Sequence, residues 1–91
     1  MFFITLLYVR NKKHQIVLTK VGEIVKKQRV AQGYSRTQLA IELNSDEKQI
    51  RRIENGEVNP TFITLLKIFH ILKMDFDVLG KIKIDKSFFY D

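Results

Sequence analysis

The sequence predicts an all-α fold, a bundle of four to five helices with short β-strands added at its termini. Three observations carry this. Apolar residues recur at helical spacing between Thr19 and Leu72. Three of the four apolar runs follow a side chain able to cap a helix start, and the first three are followed by Gly or Asn. Strict apolar–polar alternation, the strand period, sets in only after Lys73.

The 91 residues suffice for one domain with its own core, and 45% hydrophobic with 29% charged residues marks a soluble, globular chain. The absence of cysteine excludes disulfide frameworks, thiolate zinc sites and cysteine nucleophiles, and suits a cytoplasmic protein.

Residues 1–18 read as an N-terminal arm. Its apolar part, Met1–Val9, is strand-like, rich in Phe, Ile, Thr, Tyr and Val. It lacks the order of a secretory signal, because Arg10, Lys12 and Lys13 follow the apolar run instead of preceding it. Nine residues are also too few to cross a bilayer as a helix. An exposed apolar strand invites aggregation, so the arm is expected to pair, across a dimer, or to be a misassigned start. Adsorption of residues 1–13 to a membrane surface is a third reading, weaker than either.

The first helix spans Thr19–Ala31, with Val21, Ile24, Val25 and Gln28 on one side and Gly33 as its stop. Ser35-Arg36-Thr37-Gln38 has the capping-box form, and Leu39, Ala40 and Leu43 give a short second helix over 36–43. Asn44 suits a left-handed turn, and Ser45 is the expected cap of a third helix through Asn55. That helix turns Ile50 and Ile53 inward and leaves Glu47, Lys48, Arg51 and Arg52 to solvent. Gly56 ends it. After the turn Val58-Asn59-Pro60, Thr61 caps a fourth helix, 62–72, with a wide apolar stripe of Leu65, Leu66, Ile68, Phe69 and Leu72. Met74, Phe76, Val78, Ile82 and Ile84 then alternate with charged residues, predicting a strand or hairpin bent at Gly80. The organisation is thus an arm (1–18), a core domain (19–79) and a tail (80–91).

The net charge of +6 is unevenly placed. Residues 1–36 hold eight Lys or Arg against Glu23 alone, whereas the remainder holds eight against nine acidic residues. A basic first third favours a polyanionic partner, a nucleic acid or an acidic membrane surface; a solvated face explains the same charges. Catalysis has no support. Ser35 and Ser45 have capping roles and no adjacent base, the four glycines are scattered singly, and His14 and His70 lack ligand spacing. No catalytic residue, metal site or cofactor is expected. The aromatic cluster Phe88-Phe89-Tyr90 is expected to pack on a neighbour rather than to stack bases.

The second and third helices, joined by a turn at Asn44, have the form of a helix-turn-helix. A helix fits the major groove of B-form DNA, and side chains near its N-terminal end reach base edges. The pattern Val21-Gly22-x-x-Val25-x-x-x-Arg29-x-x-x-Gly33-Tyr34-Ser35-Arg36-x-x-Leu39-Ala40, followed by Ile50-x-x-Ile53-Glu54-Asn55-Gly56 and Pro60-x-x-x-x-Leu65-Leu66-x-Ile68, resembles the phage-repressor/Cro-like (XRE) family over about residues 21–79.

The resemblance implies a lambda-repressor-like bundle and a homodimer that binds palindromic double-stranded DNA as a transcriptional regulator, a repressor, associated with the nucleoid. By position, Ser35 and Arg36 fall where the family grips the DNA backbone, and Asp46, Glu47, Lys48, Arg51 and Arg52 on its recognition helix. Asn55 and Asn59 fall in a loop that meets phosphates, while Arg29 and Glu54 match a structural ion pair. Lys48 or Arg52 suits guanine O6 and N7, and Glu47 suits cytosine N4. Asp46 and Glu47 also complement the helix dipole. Two departures stand out: Arg36 replaces the family's usual Gln, and Lys73 replaces the usual Gly after the fourth helix. The alternating tail resembles family members, some antitoxins among them, whose C-terminal strand pairs across the dimer. A toxin partner is therefore the competing expectation.

Overall fold

The computed structural model describes residues 12–90. Four α-helices follow one another: α1 (Lys12–Ala31), α2 (Arg36–Glu42), α3 (Glu47–Glu54) and α4 (Phe62–Ile71). Two 3₁₀ segments, Phe76–Lys81 and Lys86–Tyr90, complete the elements among the described residues. The fold is all-α, and helix α3 packs against both α1 and α2.

Local chemistry sets the boundaries. Ser35, Asp46 and Thr61 each accept a backbone N–H from the third residue onward, satisfying an amide that the helix start leaves unpaired. At Ser35 the box is complete, since Gln38 Oε1 accepts the Ser35 N–H at 2.8 Å. All four helices close with a Schellman motif. Gly33, Asn44, Gly56 and Lys73 adopt positive φ, and Tyr34, Ser45, Glu57 and Met74 donate back to Arg29, Ala40, Arg52 and Phe69. The turn between α2 and α3 is therefore closed on both sides.

The core consists of Val25, Leu39, Ala40, Ile50, Ile53, Ile68, Phe69 and Leu72, all essentially buried. Leu43, expected inside, is half-buried at its edge. α1 and α3 approach each other closely at two glycines. A Cβ at Gly22 would collide with the carbonyl oxygens of Ile53 and Glu54, and one at Gly56 would come within 2.8 Å of the Thr19 backbone. Glycine at both points lets the end of α3 lie directly on α1.

Three expectations need correction. α1 begins at Lys12, so residues 12–18, placed in the arm, are helical. Long-range contacts account for this: Gln15 Nε2 donates to the Gly56 carbonyl at 2.8 Å, and the His14 ring packs at a tilt against Phe88, centroids 4.7 Å apart. The expected strand at Met1–Val9 lies outside the described residues. Second, Asp46, not Ser45, caps α3; the Ser45 amide closes α2.

Third, no strand forms among the described residues after Lys73. Asp75 and Asp85 each accept the N–H two residues on, Asp77 and Ser87, and these local bonds start 3₁₀ turns. Phe76 sits edge-on between Phe62 and Phe69, at 5.5 and 4.9 Å, which seats the first turn on α4. The exposed Asp85 carboxyl is held below its ordinary value, chiefly by the Ser87 N–H, then by the Ser87 hydroxyl and by Lys13. Of the terminal aromatics, Phe88 packs on His14, whereas Phe89 and Tyr90 are exposed.

Gly22→Ala tests the close approach. Alanine gains up to about 1 kcal/mol over glycine in a helix interior. Here the added methyl meets backbone that cannot swing aside. Overpacking of this kind costs about 1–3 kcal/mol, so urea denaturation should show net destabilisation.

Candidate nucleic-acid interface

Ile50 and Ile53, only 1% and 2% exposed, fix which side of α3 faces outward. At about 100° per residue, Lys48 and Arg52 fall on the opposite side, one turn apart, flanked by Gln49 and Arg51. Lys48 and Arg52 are exposed and make no ion pair among the described residues. Arg51 is different: its Nη1 lies 3.2 Å from Glu47 Oε1, an i,i+4 pair on the surface. Asp46 is engaged as the cap, accepting the Gln49 N–H at 2.8 Å.

The helix-turn-helix unit, neutral by residue count, thus sorts its charges. Glu47 neutralises Arg51, Glu54 is shared by Arg29 and Arg36, and Lys48 and Arg52 remain as adjacent cations without an ion-pair partner among the described residues. Gln49, which the sequence reading did not single out, flanks them half-buried. Its helical phase was the available signal. A glutamine there has the donor and acceptor that match adenine N7 and N6.

Behind this face lies a charge cluster. Arg29 Nε and Nη2 donate to both carboxylate oxygens of Glu54, and Arg29 Nη1 donates to the Tyr34 carbonyl at 2.8 Å. The Glu54 side chain is fully buried and that of Arg29 nearly so. Arg36 joins them: its Nε donates to Glu54 Oε1 at 3.0 Å. The sequence reading placed Arg36 at the DNA backbone and did not assign it this partner; its inner edge is bound to Glu54. This contact also brings the start of α2 to the end of α3, from which Asn55 projects.

The Ser35 hydroxyl oxygen accepts the Gln38 N–H at 3.0 Å as the α2 cap. Asn55 donates to Glu57 at 3.2 Å, and Asn59 is exposed in the loop before α4. Of the α1 lysines, Lys26 lies on the flank nearer Gly22 and hence α3, whereas Lys27 lines an open groove with Val78 and Lys81 on the far side. No helix among the described residues is long and apolar enough to cross a membrane.

A helix-turn-helix family model matches residues 25–79. Among solved structures, the restriction-modification controller protein C.AhdI from Aeromonas hydrophila superposes with a TM-score of 0.67 at 27% identity, covering 72% of this chain and 96% of that one. No curated protein sequence matches.

The cluster and the surface pair should differ sharply in worth. Glu54→Ala leaves two guanidiniums without their carboxylate, one of them buried, and should cost about 3–5 kcal/mol. Glu47→Ala, which removes an exposed i,i+4 pair, should cost no more than about 0.5 kcal/mol. Thermal unfolding of the two variants side by side checks the contrast.

Proposed function

Because the chain belongs to the XRE-type helix-turn-helix family, whose members are DNA-binding transcriptional regulators and not enzymes, we propose that it is a homodimeric repressor that reads a palindromic operator with α3. The pair of uncommitted cations, Lys48 and Arg52, on the outward side of α3 carries this reading. Arginine or lysine at such a place donates to guanine O6 and N7 in the major groove. Ser35, Arg36, Asn55 and Asn59 lie at the two ends of the unit, where they would meet the flanking phosphates. Glu47 would accept from cytosine N4 only by giving up part of its pair with Arg51.

The dimer is proposed to form through α4. Phe62, Ile63 and Leu66 are 62%, 58% and 40% exposed, three large apolar side chains together on one helix that holds no acidic residue. An exposed apolar face of this kind suits an isologous contact between two copies. Two protomers measuring 36 × 33 × 20 Å, placed side by side, are of the right size to set their α3 helices about 34 Å apart, one turn of DNA.

The match to a restriction-modification controller protein along nearly all of that protein's length supports a regulatory role. The antitoxin alternative drew on the alternating tail, which forms 3₁₀ turns, and on the apolar arm, which lies outside the described residues.

Selection of bound duplexes from random DNA tests the reading. A near-palindrome with half-sites about 10 base pairs apart is expected; failure to enrich any sequence at low salt would reject it. With the operator known, Arg52→Ala should relax preference at one position in each half-site by about 1–3 kcal/mol. Ile63→Asp, at a side chain outside the core, should yield a folded monomer in analytical ultracentrifugation with weakened operator binding. An unchanged dimer would place the contact elsewhere.

A further inference from the structure

Arg36 is bound on one edge only. Its Nε is fixed on the buried Glu54, while its terminal amino groups have no hydrogen-bond partner among the described residues and its side chain is 30% exposed. Around Glu54 there are two guanidiniums for one carboxylate, so the cluster keeps one net positive charge, and Arg36 holds its exposed portion. Guanidinium is planar, with donors on both edges, so it can hold a carboxylate on one side and a phosphate on the other without turning. A lysine ammonium or a glutamine amide carries all its donors on one nitrogen and offers no second edge to the other anion.

We propose that Arg36 is a positioning residue that carries a DNA phosphate contact into the Glu54 cluster, bridging a backbone phosphate and the C-terminal end of α3. The proposal rests on the DNA-binding reading above. In this arrangement the phosphate engages the Arg36 terminal amino groups while Nε stays on Glu54. Glu54 ends α3 and also holds Arg29 of α1, so the stance of α3 in the groove is set from the phosphate through two charge-assisted bonds. The contact then acts on sequence discrimination as well as on affinity. Loss of an ordinary phosphate contact weakens binding to all duplexes about alike.

The test uses the native protein and the operator found by selection. In proton–nitrogen spectra, the Arg36 Nε–H signal, assigned by its loss in Arg36→Lys, should persist and stay protected from water exchange in the complex. Its disappearance on binding would mean that Arg36 leaves Glu54, and would overturn the proposal. For Arg36→Gln, the slope of log affinity against log salt should fall by about 0.9, the value for one phosphate contact. The ratio of operator to random-duplex affinity should also fall, at least threefold. Arg36→Lys should keep the slope and still lose the ratio. An unchanged slope would reduce Arg36 to a structural role, and equal losses on both duplexes would reduce it to a plain phosphate contact; either result overturns the relay. If the native protein binds no duplex, the DNA-binding reading itself fails and takes the relay with it. Should Arg36→Gln not fold, the native spectra still decide.

Discussion

The arrangement of this small bundle depends on one carboxylate. Glu54 is the last residue of α3, and its buried side chain gathers Arg29 from α1 and Arg36 from α2. Arg29 also reaches the Tyr34 carbonyl in the turn between those helices. Three helices and one turn therefore converge on a single group. A buried charge is costly without partners, so the cluster penalises any packing that separates its members. The glycine contacts act at the same place. Gly22 lets α1 approach the last carbonyls of α3, and Gly56 lets the following turn lie against Thr19. Electrostatics and shape thus fix the same joint, and the outward direction of Lys48 and Arg52 follows from it.

The remaining structure is defined by its helix ends. Short helices such as α2 and α3, seven and eight residues long, have little stability of their own. Side-chain caps at their starts and Schellman closures at their ends satisfy amides and carbonyls that would otherwise face the core. Leu39, Ile50 and Ile53 then supply the apolar contact that holds the pair together.

How far the sequence foretold this depends on how local each signal is. Both halves of the Ser35–Gln38 box lie within four residues, and it was readable outright. The left-handed stops at Gly33, Asn44 and Gly56 use residue types that favour that conformation, whereas Lys73 adopts φ 56° with a side chain no turn rule expects. Local periodicity places the start of α1 too late, because Gln15 answers to Gly56, 41 residues away. The Arg36 bond to Glu54 spans 18 residues, and no local pattern announces it. In the tail, genuine strand periodicity was overridden by two aspartates that bond their own backbone and by Phe76 lodging between Phe62 and Phe69. The family resemblance covered the elements in register, but it could not show which charges on α3 are already engaged.

The pairing of Glu47 with Arg51 bears on how such a regulator searches a genome. Non-specific attachment to DNA is driven by released counterions and grows with each cation presented to phosphate. A reading unit whose charges largely cancel one another adds little to that background. Under the proposed docking, a larger share of its binding energy then depends on the correct bases. Among the roughly 10⁶–10⁹ competing sites of a genome, occupancy of the right one is governed by this ratio and not by raw affinity. Internal neutralisation on the recognition helix is in this sense a means of shortening the time lost on wrong DNA.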